Sequence, residues 1–118
     1  NINAIEIIAT WAGLNTRFLK SSEIGIDGKS SSRLLEICKK LNASKYITGL
    51  GALEYLDHDL FDKENIPVEY MSYQKKEYPQ LFDEFIPYVS IIDVIANNGS
   101  GIRDFICSGS ISWKELRL

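Results

Sequence analysis

Short strand-like runs that alternate with amphipathic helical stretches constrain this chain more than any other feature. Residues 16–21 (TRFLKS), 45–48 (KYIT) and 68–73 (VEYMSY) each read as a strand, and each interval between them carries one helical pattern. Two successive βαβ units of this kind predict parallel neighbours joined by right-handed crossovers. The expected fold is therefore α/β: a small parallel βαβαβ sheet with flanking helices and a C-terminal helical segment. The opening NINAIEIIATWAG is helical, with Ile5, Ile8, Ala9 and Ala12 on one face and Gly13 placed to end it. Ser30, Ser31 and Ser32 offer N-caps for a helix that turns Leu34, Leu35, Ile37, Cys38 and Leu41 inward and leaves Arg33, Lys39 and Lys40 wet. A further helix is expected to carry Leu53, Leu56 and Leu60 into the core. Residues 90–96 read as helical, and residues 100–104 open a short helix packed through Ile102, Phe105 and Ile106. Residues 109–118 carry no decisive pattern.

Composition bounds the function classes. At 118 residues with 45% hydrophobic content the chain has the size of one small domain with a real core. Thirteen basic against 16 acidic side chains give a net charge of −3, so no basic field invites nucleic acid. The longest apolar runs fall far short of the ~20 residues that cross a bilayer. Cys38 and Cys107 lack close Cys or His partners in sequence, which fits buried free thiols in a reducing, cytoplasmic setting better than a disulfide scaffold or a zinc site.

In open parallel sheets, ligands collect at the carboxyl ends of the strands. That rule singles out residues 21–30, 49–51 and 74–80. The last of these runs into residues 78–99 (YPQLFDEFIPYVSIIDVIANNG), apolar enough to be buried yet studded with Gln80, Asp83, Glu84, Ser90 and Asp93. Burial penalises each of those groups unless it is hydrogen-bonded. The segment is thus either constrained scaffold or the wall of a site.

Several motifs compete for the chemistry. Gly28-Lys29-Ser30 resembles the end of a phosphate-binding loop, but the required upstream glycine is Glu23; a tight turn before a helix explains it as well. Gly49 and Gly51 join a strand end to a helix start, where glycine serves either a close ligand approach or the steric demand of the turn. Tyr55 follows on the helix. Glu23 and Arg33 either orient a polar ligand or pair with each other. His58, the single histidine, sits between Asp57 and Asp59 on what reads as a solvated helix face, with no Ser or Cys nucleophile beside it. With Asp62 these form a candidate metal cluster, but neighbouring helix positions diverge and cannot converge on one ion. No metal or cofactor is expected.

Three stretches together resemble the WbqC-like family of bacterial proteins: residues 18–57 (FLKSSEIGIDGKSSSRLLEICKKLNASKYITGLGALEYLD), 66–73 (IPVEYMSY) and 77–99 (EYPQLFDEFIPYVSIIDVIANNG). The resemblance covers nearly the whole chain and corresponds to the C-terminal half of the family. It implies a single α/β domain over residues 1–118 whose N-terminal half, a partner by this reading, is absent here. It further implies a transferase attaching an amino-acyl or acyl group to an amino sugar in O-antigen or other surface polysaccharide biosynthesis, with this chain as the substrate-binding half. The alternative is a non-catalytic sugar- or nucleotide-binding or scaffold module. The pattern carried over includes Ser21, Ser22, Glu23, Arg33, Gly49, Gly51, Tyr55, Tyr78, Pro79, Gln80, Phe85, Pro87, Ser90, Asp93 and Gly99. Of these, Glu23, Arg33, Gly49, Gly51, Tyr55, Tyr78, Gln80 and Asp93 are the candidate binding residues for a sugar or nucleotide sugar, with Tyr78 or Phe85 stacking on an apolar sugar face and Arg33 meeting a phosphate or carboxylate. Catalytic residues are not assigned. One departure stands: the family commonly shows His-Pro just before Tyr-Pro-Gln, whereas this chain has Lys75 and Lys76.

Overall fold

Helix ends organise this fold, and three of them use the same hydrogen-bonded stop. In the computed structural model, which describes residues 1–82 and 84–116, helix α1 (Ile2–Trp11) ends at Gly13, φ +69°. The Gly13 N–H donates to Thr10 O and the Leu14 N–H to Ala9 O, the paired bonds of a Schellman motif. Asparagine takes the left-handed position in the other two. Asn42 (φ +51°) ends α2 (Ser30–Lys40), and Asn65 (φ +56°) ends α3 (His58–Lys63) just before Pro67. Asn tolerates this backbone because its short polar side chain interacts locally.

Two compact units emerge. The sheet unit comprises Leu19–Tyr73 and Ser108–Leu118; the helical unit comprises Asn1–Phe18 and Gln74–Cys107. In the sheet unit, strands β1 (Tyr46–Thr48), β2 (Val68–Met71) and β3 (Ser110–Ser112) lie in the order β1-β2-β3. Strand β1 runs parallel to β2, with Tyr46 opposite Val68, and β3 runs antiparallel, with Tyr70 opposite Ile111. Val68 and Tyr70 alternate into a core with Leu35, Cys38, Ala52, Leu56, Phe61, Ile66 and Trp113. Short α5 (Trp113–Leu116) follows β3 directly.

The sheet is mixed, which corrects the expected parallel βαβαβ arrangement. Residues 16–21 form no strand, so the described residues contain one βαβ unit. Phe18 and Leu19 are adjacent there, and a strand puts neighbours on opposite faces, so one face cannot bury both. The third strand comes instead from the tail. The expected helix through Leu53, Leu56 and Leu60 is also broken: a 3₁₀ turn (Leu50–Ala52) precedes α3, whose N-cap Asp57 accepts from the Leu60 N–H at 3.1 Å. The serines that open α2 do not cap it. Lys29 occupies the cap, Ser32 Oγ donates to Lys29 O, and the buried Ser31 hydroxyl accepts from the Asp57 N–H at 2.9 Å, tying α2 to the start of α3.

The helical unit contains α1, α4 (Ile91–Asn98) and the 3₁₀ helix Gly99–Phe105. Its core is Ala12, Tyr78, Val94 and Ile102, with Phe85, Ile91, Ile95 and Phe105 packed around it. Ser90 caps α4 by accepting from the Ile92 N–H. Gly99 carries the turn into the 3₁₀ helix at φ +55°, a conformation that strains residues with a Cβ. Among the described residues, no helix is long and apolar enough to cross a membrane.

Candidate functional site

Residues 78–93 form a hydrogen-bonded corner around one carboxylate. Asp93 stands in the first turn of α4, where the helix dipole favours negative charge. Its Oδ2 accepts from the Tyr78 hydroxyl at 2.7 Å and from Gln80 Nε2 at 3.0 Å. Gln80 then reaches back along its own loop: Oε1 accepts from the Ile86 N–H at 2.8 Å, and Nε2 stands 3.2 Å from Ile86 O. A backbone N–H can only donate, so the Ile86 contact fixes which end of the Gln80 amide is oxygen. One side chain thereby closes the loop from Gln80 to Ile86 and joins it to Asp93.

Apolar walls surround that polar corner. A cleft of about 410 Å³ is lined by Gln80, Glu84, Asp93 and Asn97 together with Leu81, Phe82, Ile86, Val89 and Ala96. Asn97 lies one turn beyond Asp93 and donates from Nδ2 to the Asp93 carbonyl at 2.9 Å. Among the described residues no Lys or Arg lines the cleft. A few polar groups converging between apolar walls is the usual form of a small-molecule site. Hydroxyl and ammonium groups suit its two carboxylates and two amides; a phosphate does not.

The segment is far less buried than its composition suggests. Leu81, Phe82 and Tyr88 are 82%, 80% and 80% exposed. Asp83 lies outside the described residues. Tyr78 alone among the segment's aromatics enters the core, at 9% exposure, in edge contact with Phe85 (5.2 Å between ring centroids) and Phe105 (5.8 Å). Its ring is buried, and the exposed aromatic side chain at the cleft is Phe82.

The structure brings Tyr78, Gln80 and Asp93 together. Glu23, Arg33, Gly49, Gly51 and Tyr55 all belong to the sheet unit. There Glu23 pairs with Lys20 at 3.2 Å rather than with Arg33. The Arg33 guanidinium donates to Ile26 O and Ser21 O, both at 3.1 Å, and Lys40 donates to Ile24 O. These cations lace residues 21–26 onto α2. A Cβ built on Gly49 or Gly51 meets nothing within 4 Å, and neither residue has a positive φ. The turn itself therefore does not require glycine at either place. Tyr55 is exposed.

His58 corrects the solvated-face reading. It is 4% exposed, its Nε2 lies 2.7 Å from the Tyr70 hydroxyl, and its ring stacks on Trp113 at 4.5 Å. This is a core histidine. Among the described residues no group of three or more His, Cys, Asp and Glu side chains is arranged to hold a metal ion. Cys38 is buried and Cys107 half-buried, both free; burial pushes the Cys38 thiol up from its ordinary value. Lys75 and Lys76, which replace the His-Pro pair, fasten the loop: Lys76 donates to Asp104 O at 2.6 Å, and Lys75 lies over the Tyr88 ring.

Phe82 and Asn97 are cleft residues that sequence reasoning missed, whereas Glu84 stood among the segment's polar groups without being singled out for binding. Asn97 had a usable signal, since i and i+4 from Asp93 share a helix face.

The profile of the WbqC-like protein family matches residues 1–104. An uncharacterized protein, Rv1507c, of Mycobacterium tuberculosis (strain ATCC 25618 / H37Rv) is 30% identical over 107 residues, which is 90% of this chain and 46% of that protein. The chain thus spans about half the length of the curated relative it matches. No solved structure matches.

Proposed function

We propose that this chain, which belongs to the WbqC-like protein family, supplies the sugar-binding portion of a transferase that attaches an amino-acyl or acyl group to an amino sugar. The setting would be the making of a bacterial surface polysaccharide such as O-antigen. What supports the reading is the cleft around Asp93. Its carboxylate is held by Tyr78 and Gln80 through Oδ2, while Oδ1 accepts from no group among the described residues. A ligand hydroxyl or ammonium is the natural donor to such an oxygen. Asn97 and Glu84 stand at the same cleft, and Phe82 offers a face for the apolar side of a pyranose ring. The carboxylates and amides of the lining speak for an uncharged sugar or an amino sugar, bound through its ring rather than through a phosphate.

A direct test is saturation-transfer NMR with free hexosamines, neutral hexoses and hexose phosphates, repeated on Asp93→Asn and Gln80→Ala. Hexosamines are expected to bind best, and Asp93→Asn is expected to lose about tenfold or more in affinity, the loss of one charge-assisted hydrogen bond. Equal signals from all three classes, or an unchanged Asp93→Asn protein, would rule the assignment out. A scaffold role is the second reading. It is favoured by the return of Gln80 to the Ile86 backbone and of Arg33 to carbonyl groups. Under it, the same substitutions lower stability and no sugar binds.

A further inference from the structure

The helical unit exposes more large apolar side chain than its own residues cover, and we propose that this surface is the docking face for the remaining part of a protein as long as the relative. Helix α1 supplies the first observation. It buries only Ala9, and Ala12 just beyond it, while Ile2, Ile5, Ile7 and Trp11 are 46–67% exposed. A helix apolar on several faces is one that something surrounds. Residues 88–92 supply the second. Tyr88 and Ile92, neither of which lines the cleft, are 80% and 65% exposed. Apolar surface gathered in this way marks an interaction site in water-soluble chains.

The occupant follows from length. The stretch matching this chain makes up 46% of the relative, so more than half of a protein of that length lies outside it. A partner joined covalently sits at high effective concentration, and a mainly apolar face suits a permanent neighbour rather than a transient one. Polar, charge-matched contacts would instead mark a partner that comes and goes. The inference is independent of any sugar in the cleft.

The test uses the complete protein encoded by the parent reading frame. In a Cys107→Ser background, single cysteines are placed by Ile92→Cys and Ile7→Cys on the proposed face, and by Lys29→Cys at an exposed polar control position. Reaction with a soluble thiol reagent is then timed. The two face positions are expected to react at least about tenfold more slowly than the control at every protein concentration, because a covered thiol reacts only through local opening. Rates equal to the control overturn the proposal. So does protection that fades on dilution together with dissociation of a dimer, which assigns the face to a second copy, and so does a reading frame with no further sequence to dock.

Discussion

Replacing Gln80 by glutamate changes one atom's chemistry at the centre of the Asp93 corner, and its effect is expected to depend on pH. Gln80 Nε2 lies 3.0 Å from Asp93 Oδ2, so Gln80→Glu sets a second carboxylate against the first. Two unit charges about 4 Å apart repel by ~1 kcal/mol in water and by ~4 kcal/mol at an effective dielectric constant near 20. The half-buried setting falls between these, at ~2–3 kcal/mol. Gln80→Ala provides the reference: it loses the amide bonds without adding charge, a cost of ~1–2 kcal/mol. Near pH 7 the glutamate variant should therefore be the less stable of the two. The repulsion raises the folded-state pKa of the introduced carboxyl above its unfolded value. Its penalty is thus absent below the unfolded value, grows as pH rises through the folded one, and is complete above it. At about pH 5 a proton shared by the two carboxyls restores a hydrogen bond, and Gln80→Glu should overtake Gln80→Ala. Urea unfolding of both variants at the two pH values measures this, with hydrogen exchange at the Ile86 amide as a local reporter. If the order of the two variants does not reverse with pH, Gln80 does not face Asp93 as described.

Three further outcomes are expected. Arg33→Lys should speed amide exchange across residues 21–28 and lower stability by ~1–2 kcal/mol, since a single ammonium cannot span Ser21 O and Ile26 O as the guanidinium fork does; unchanged exchange would show that the loop is held otherwise. In the native protein a thiol reagent at neutral pH should modify Cys107 well before Cys38, whose burial keeps its thiol protonated; mass spectrometry of the labelled peptides gives the order, and equal rates would contradict the core position of Cys38. Glu69 is held below the ordinary carboxylate value of 4.5 by its hydrogen bond to Lys45 first and to Ser110 second, so its contribution is present above that value and lost as pH falls through the lowered one. Urea midpoints measured from pH 7 down to about 3 should fall less steeply in Glu69→Gln than in the parent, and parallel profiles would remove Glu69 from the account.

Periodicity and stop signals made α1, α2, α4, β1 and β2 legible, because each carries its own evidence: apolar residues in register with the element and a Gly, Asn or Ser at its end. What stayed hidden depended on partners distant in sequence. Strand β3 is three residues, two of them serine, and forms only because β2 offers an edge. Residues 16–21 have strand-like composition and no such edge. His58 looked wet because Asp57 and Asp59 flank it, yet Asp57 turns outward as an N-cap and the histidine turns in toward Tyr70 and Trp113. At the site, an excess of polar groups in an apolar segment drew attention to Gln80 and Asp93, which the structure brings together with Tyr78. The same reading assumed that the segment was buried. Composition says how much apolar surface a segment has; it does not say whether this chain alone covers it.

The interleaving of the two units also sets an order of events in synthesis. The sheet unit is interrupted between β2 and β3 by residues 74–107, and the helical unit draws on both residues 1–18 and that interruption. Ala12, next to α1, packs with Tyr78, Val94 and Ile102. A ribosome adding ~5–20 residues per second needs roughly 3–13 s to pass from Ala12 to Tyr78. Throughout that interval Ala12 has no core to join. Of the helices described, α1 emerges before the residues it packs with, and a chaperone that screens emerging chains would meet it there.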